Sequence, residues 1–329
     1  MSEATAAWAP RMIDPSVLDR DDLLRPVVDA LGRAFRDLRG GRAHSADRTL
    51  LQTGGEPRNQ LLVSPAAWER HGVAGLKITT LTPGNPDRGL PLIHGIVALV
   101  DLRTGRVAAL LDGAALTALR TGAVAGLATE LCAPPDAGDL AVVGAGVQAR
   151  ALLRSMAAVR PVHTVRLYSR TRSRTEALAA WARERFGPRT RVTVCDDARS
   201  AVRDAQIVCT ATSTDDATPV VEAGWVADGA HVNVIGGTHE DAVEVAPELL
   251  ASAFVAVEQR ADALEEAGEV RAALAAGLIG TDALHELGAL LDGDAAPPAG
   301  RTTLFRSVGL SIEDTAAAAA VHDVVTAGN

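Results

Sequence analysis

Leu140-Ala141-Val142-Val143-Gly144-Ala145-Gly146-Val147-Gln148-Ala149 is the stretch on which the fold turns. Four apolar residues suit a strand buried on both faces, and GxGxxA follows at once, opening the helical pattern VQARALLRSMAAV. In that setting Gly144 permits a tight turn, Gly146 lets the backbone approach a pyrophosphate, and Ala149 lets helix and strand pack closely. Ala145, Val147 and Gln148 complete the cradle, where a helix start offers unpaired N–H groups and a positive dipole end. The motif alone is weak in a chain with 30 glycines. Its position between strand and helix is what favours a dinucleotide site over a purely structural glycine turn.

Downstream, HTVRLYS reads as the next strand and RSRTEALAAWARERF as a helix, followed by the strands RVTVC, AQIVCTAT and HVNVIGG. Strand–helix alternation of this kind predicts a parallel sheet covered by helices on both faces, a Rossmann-type doubly wound α/β domain. An enzyme that prefers NAD usually places Asp or Glu after the second strand to bind the ribose hydroxyls. This chain offers Ser169, Arg170, Thr171, Arg172 and Arg174 there. A carboxylate would repel a 2′-phosphate, whereas a guanidinium can clamp it, so NADP(H) is favoured over NAD(H), with Arg170 and Thr171 foremost. A solvated basic helix start is the competing reading. Thr210, Ala211 and Thr212 end a strand where a cofactor crevice is expected, although a threonine-rich turn would look the same.

Upstream, residues 15–40 have helical apolar spacing that Pro26 interrupts, so the regular helix is expected only from there. LLVS, GLKITTL, HGIVALVDL and RVAALL read as strands, with PGNPDRGLP a polar loop between two of them. From Gly113 a long helix of small residues is predicted, broken by APPDAGD. Towards the C-terminus, helices are expected near 260–275 and 281–291, then a loop, the segment TLFRSVGLS and an alanine-rich helix over 312–325.

The length of 329 residues suits about two domains. Aromatic residues are only 3%, so packing must rest on Ala, Val and Leu. A net charge of −9 argues against a general nucleic-acid binder. Cys132, Cys195 and Cys209 form no CxxC pair and read as small buried apolar residues, so neither a metal site nor a disulfide framework is expected. The N-terminus has no signal-peptide pattern and no apolar run is long enough to span a membrane, and a reducing cytoplasm is expected.

Four strings together carry a resemblance: GLKITTLTPGNPDRGLP (75–91), ALLDGAALTALRTGAVAGLA (109–128), VVGAGVQA (142–149) and TLFRSVGL (303–310). From about Arg48 to Asp314 the chain resembles the ornithine cyclodeaminase/mu-crystallin family. The resemblance implies a substrate-binding and dimerisation domain of α+β type over 1–115 with 310–329, a Rossmann NAD(P)-binding domain over 116–309, and a homodimer. It also implies the family's activities: cyclodeamination of ornithine or lysine, alanine dehydrogenation, and reduction of ketimines or cyclic imines. Arg48, Lys77 and Arg120 match its substrate-binding positions. Arg48 and Arg120 are expected to hold an α-carboxylate, and Lys77 to add a donor or to serve the reacting nitrogen or oxygen. The resemblance also shows a departure. Ornithine cyclodeaminases carry Asp after HxNxxGA, and here Thr238 stands in that place. A threonine does not ionise near neutral pH, so it cannot act as that acid–base group. Mu-crystallin-like ketimine reductases show similar losses.

An imine that is already protonated is electrophilic, and reducing it needs mostly positioning. The favoured reading is therefore an NADP-dependent oxidoreductase acting on the C–N bond of a small amino acid or imino acid. A cyclodeaminase-type lyase with recycled NAD is the alternative, and a non-catalytic NADPH-binding protein a third. Thr238 and His239 are expected to shape the pocket, with His239 a candidate proton donor. Asn233 could bond near the nicotinamide. Asp112 is expected to stabilise the turn before the long helix, Glu265, Glu266 and Glu269 to form a solvated face, and Asp314 to lie on the cofactor side.

Overall fold

The computed structural model describes residues 9–54, 58–214, 218–237 and 242–328. The chain forms two compact units, Met1–Arg120 with Leu310–Asn329, and Thr121–Gly309.

In the first unit, β1 (Arg11–Ile13) leads to the short helix α1 (Pro15–Leu18), whose N-terminus is capped by Asp14 accepting the Ser16 N–H. Helix α2 (Leu24–Arg39) begins two residues before Pro26. In the first turn a proline N–H has no intrahelical partner to lose, so Pro26 starts the helix and does not delay it. Val27, Val28, Leu31 and Phe35 form its buried face. The strands are β2 (Ala43–Ser45), β3 (Thr49–Gln52), β4 (Gln60–Trp68), β5 (Val73–Leu81), β6 (Ile93–Asp101) and β7 (Val107–Asp112). They lie in the order β1-β7-β6-β5-β4-β2, with β3 also on β4. The pairing is antiparallel apart from β1 with β7. The long helix α3 (Gly113–Cys132) follows, and Asp112 accepts the Ala115 N–H at 2.8 Å, the turn-stabilising role expected of it. The C-terminal helix, Ser311–Ala327, packs on α2, β4 and β5 with Ala316–Ala320 buried. It comes close to β5 at Gly75, where a Cβ would stand 2.2 Å from Thr315 Oγ1 and 3.1 Å from its Cα.

The second unit alternates strand and helix: β8 (Asp139–Val143), α4 (Val147–Val159), β9 (Thr164–Tyr168), α5 (Arg172–Phe186), β10 (Arg191–Val194), α6 (Ala198–Val202), β11 (Ile207–Thr210) and β12 (His231–Val234). Then come α7 (Pro247–Ser252), β13 (Phe254–Val257), α8 (Arg260–Glu266), α9 (Gly268–Ala275), β14 (Leu284–Glu286), α10 (Leu287–Asp292) and β15 (Thr303–Arg306). The C-terminal helix is α11. The eight strands of this unit lie in the order β10-β9-β8-β11-β12-β15-β13-β14 and every pair is parallel. Alternate residues of β8 serve opposite cores, Ala141 and Val143 on one face, Leu140 and Val142 on the other. Chain order reverses between β8 and β11, which makes their carboxyl ends the switch point where such sheets bind ligands.

Three local expectations are corrected. The segment 281–291 holds strand β14 before its helix, 260–275 is two helices parted at Ala267, and β13 was not foreseen. Among the described residues no helix is long and apolar enough to cross a membrane. Cys132 and Cys209 are buried, Cys195 is half-buried, and all three are free thiols.

Candidate functional site

In the second unit the turn after β8 is as tight as its glycines suggest. Gly144 has φ +125°, and a Cβ there would lie 2.3 Å from the Ala211 carbonyl oxygen. The Gly144 N–H bonds the Tyr168 carbonyl and the Ala211 N–H the Val143 carbonyl, both at 2.8 Å, so the ends of β8, β9 and β11 are tied together. At Gly146, the N-cap of α4, no atom of the described residues lies within 4 Å of where a Cβ would stand, and no side chain among them caps the helix. Ala149 is fully buried, Val147 is exposed, and the Gln148 amide oxygen is buried without a hydrogen-bond donor. An uncapped helix start, open space at Gly146 and an orphaned acceptor beside it suit a diphosphate and its sugar. The donor set at this turn fits a dinucleotide.

After β9, Arg170, Thr171, Arg172 and Arg174 are exposed. Thr171 is the N-cap of α5, and the Ser169 hydroxyl braces that helix start against Thr175 Oγ1 at 2.7 Å. Arg172 is engaged by Glu176 and Asp196.

The threonines after β11 differ from expectation. Thr210 is buried and its hydroxyl donates to Glu244 Oε2 at 2.7 Å. Thr212 donates both its N–H and its hydroxyl to Glu244 Oε1 at 2.6 Å. These hydroxyls are turned to Glu244 and are not offered to a ligand; Thr210 is wholly buried, and Ala211 and Thr212 are half-buried. Asn233 is likewise fully buried, and its amide is engaged by His231 Nε2 at 3.2 Å and Thr129 Oγ1 at 2.9 Å within the protein. Glu269 is not on a solvated face: it is buried, its Oε2 accepts from Arg306 Nε at 2.8 Å, and its Oε1 accepts the Glu244 N–H at 2.6 Å. Sequence reading missed Glu244 and Arg306. Charged residues, Glu and Arg alike, ordinarily face water, and only the tertiary arrangement buries these two. Thr238 and His239 lie outside the described residues.

In the first unit, Lys77 on β5 and Arg120 on α3 converge on the first turn of α11. Lys77 Nζ is 2.6 Å from Asp314 Oδ2. Arg120 Nη1 donates to Glu313 Oε2 at 3.0 Å and Arg120 Nε lies 3.4 Å from Asp314 Oδ1. Arg120, Glu313 and Asp314 are buried, and Lys77 is largely so. Glu313 Oε1 also accepts the Leu310 N–H at 2.8 Å, which fixes it at the helix start. Asp314 therefore stands with Lys77 and Arg120 within the first unit. Burial lowers the Lys77 pKa; Asp314 opposes the shift, and the charges of Arg120 and Arg48 reinforce it. Arg48, in the link between β2 and β3, is exposed. The cluster pairs two buried cations with two carboxylates and carries Arg48 as a further cation at its margin, an arrangement suited to a small acid.

Residues 16–329 match the profile of the ornithine cyclodeaminase/mu-crystallin family. A Delta(1)-pyrroline-2-carboxylate reductase of Bacillus cereus is 36% identical over 282 residues, 82% of this chain and 84% of that protein. The ketimine reductase mu-crystallin of Mus musculus is 31% identical over 311 residues, 94% of this chain and 95% of that one. Among solved structures, the Delta(1)-pyrroline-2-carboxylate reductase of Thermococcus litoralis in complex with NADH and L-proline superposes with a TM-score of 0.88 at 29% identity, over 97% of this chain and 98% of that chain.

Proposed function

The chain belongs to the ornithine cyclodeaminase/mu-crystallin family, and from that premise we propose that it is an NAD(P)-dependent reductase of small imino acids, cyclic ketimines foremost. The observation that carries this reading is the turn at Gly144, held against Ala211 at the sheet's switch point, with an uncapped helix start behind it. The residues of that turn, Gly144 to Ala149, hold the diphosphate. Bound there, the reduced dinucleotide supplies a hydride to the imine carbon. In the first unit Arg48 and Arg120 hold the α-carboxylate through charge-assisted bonds, and Lys77 keeps a proton at Nζ for the reacting nitrogen. Arg120 is already engaged by Glu313 and Asp314, so the substrate shares a guanidinium that is fixed in place beforehand.

NADP(H) is the preferred cofactor in this reading, because exposed Arg170 and Arg174 follow β9 where a carboxylate would serve NAD. Exchanging Arg170 for Asp is expected to lower the preference for NADPH over NADH by about tenfold or more. An unchanged ratio removes Arg170 from that role. The protein acts as a homodimer through the first unit, whose strands expose Leu50, Leu51, Ile93 and Ile96. Free thiols suit the reducing cytoplasm.

The test is a substrate panel. Purified protein receives NADPH or NADH with Δ1-pyrroline-2-carboxylate, larger cyclic ketimines, or pyruvate plus ammonia or amines. Net oxidation of the dinucleotide with a cyclic ketimine is the expected result. Ammonia release from ornithine or lysine without net oxidation would make it a cyclodeaminase, and binding without turnover a non-catalytic protein.

A further inference from the structure

Glu244 does more than fill a core position. It is fully buried, and each of its carboxylate oxygens is held by one backbone N–H and one hydroxyl. Oε1 accepts from the Thr212 N–H and hydroxyl, both at 2.6 Å. Oε2 accepts from the Gly236 N–H at 2.6 Å and the Thr210 hydroxyl at 2.7 Å. These donors belong to the segments that leave the carboxyl ends of β11 and β12, next to the switch point. The residue is fixed from behind: the Glu244 backbone N–H donates to Glu269 Oε1, and the other Glu269 oxygen pairs with Arg306 at the end of β15. Arg306 Nη2 in turn donates to the Gly237 carbonyl at 2.8 Å. Gly236 has no alternative residue here, because a Cβ would stand 2.2 Å from the Thr212 carbonyl oxygen and 2.6 Å from Glu244 Oε1.

In a sheet of this strand order the adenosine half of a dinucleotide lies over β8 and β9, and the nicotinamide half over the strands beyond the switch point. The hydroxyls of Thr210 and Thr212 are spent on Glu244, and among the described residues these bonds set the course of 210–212 and 235–237 past the switch point. We propose that Glu244 is the positioning residue for the nicotinamide half of the cofactor, clamping the segments after β11 and β12 in one geometry through a buried carboxylate. The inference rests on the reading that this unit binds NAD(P)(H). It assigns Glu244 no contact with the cofactor and no part in proton transfer.

The geometry makes the conservative variant informative. In Glu244→Gln, whichever way the amide is turned, its NH2 faces a backbone N–H, of Thr212 or of Gly236, and donor meets donor. Affinity is measured for the reduced dinucleotide the wild type binds better and for its adenosine half alone (2′,5′-ADP for NADPH, ADP for NADH). E244Q is expected to weaken the intact dinucleotide by about tenfold or more and to lower kcat, while the adenosine half keeps its affinity within about twofold. Thr212→Val, which deletes one of the four donors at near-constant volume, is expected to act in the same direction and more weakly, and serves if E244Q does not fold. Equal losses for both ligands, or none, overturn the proposal. A wild type that binds neither dinucleotide overturns the cofactor reading itself, so the two failures are told apart.

Discussion

Burial and two neighbouring guanidinium groups work against the charge on Lys77, and Asp314 Oδ2 at 2.6 Å is what opposes them. Asp314→Asn removes that carboxylate at almost constant shape, so the Lys77 pKa falls further. If protonated Lys77 serves the reacting nitrogen, the alkaline limb of kcat/KM moves to lower pH in the variant. Each unit of movement costs about tenfold in protonated fraction above the new pKa. Steady-state rates from pH 6 to 10 check this, and an alkaline limb that stays in place takes Lys77 out of the proton step. Residue by residue, Lys77 was legible because it stands out in an apolar strand, whereas Arg120 and Asp314 were marked only by the family resemblance. Glu313 precedes an alanine run like an ordinary acidic helix start and was not singled out. Glu244 and Glu269 were hidden for a related reason, since what buries them is a set of backbone donors brought together from distant strands.

At the scale of elements, the approach of α11 to β5 decides where Asp314 stands. Gly75 and Lys77 are two apart on β5 and so share a face, and Thr315 follows Asp314 directly. Gly75→Ala puts a methyl 2.2 Å from Thr315 Oγ1 and 2.9 Å from its Cβ. The helix must move off the strand, at a cost of about 1–3 kcal/mol. The expected outcome is a lower Tm together with a higher KM for the imino acid, because Asp314 moves away from Lys77. Thr315→Ala in the same chain removes the hydroxyl and leaves the Cβ, so it restores only part of the loss. A wild-type KM in Gly75→Ala would separate the strand–helix contact from the site. The parallel sheet was legible where an apolar-rich strand ran into a helical pattern, as at β8 and β9. It was not legible at β14 or β13. Leu284–Glu286 is three residues long and runs straight into α10, so the helical spacing beyond it dominates the pattern. Phe254–Val257 is a short apolar run that periodicity alone cannot assign.

For the molecule as a whole, one contribution to the pH dependence of stability can be followed from a single buried histidine. His231 is fully buried on β12, with Nδ1 2.8 Å from Thr303 Oγ1 and Nε2 3.2 Å from Asn233 Oδ1. The chain of bonds fixes its tautomer. Thr129 Oγ1 donates to the Ala125 carbonyl at 2.7 Å and so accepts from Asn233 Nδ2, which turns Asn233 Oδ1 towards a proton on Nε2. Nδ1 then accepts from the Thr303 hydroxyl in the neutral ring, and a second ring proton would place a full charge in a site closed to water. Burial accordingly pushes the His231 pKa down from 6.5 to about 4. The unfolded chain takes up a proton below pH 6.5 that the folded chain refuses until near 4. This contribution to stability is fully present above the unfolded pKa and is lost as pH falls through that window, about 1.4 kcal/mol per pH unit and about 3 kcal/mol in all. Against a net stability of about 5–15 kcal/mol, such a loss is measurable by urea unfolding. His231→Gln removes the titrating group. Carboxylates titrate in both proteins, so the difference between wild type and variant isolates the histidine: it is constant above pH 6.5 and shrinks on acidification to pH 4. Parallel stability curves for the two proteins would mean that the fold leaves the pKa of this ring unshifted, and that the bond assignment along Thr303, Asn233 and Thr129 is wrong.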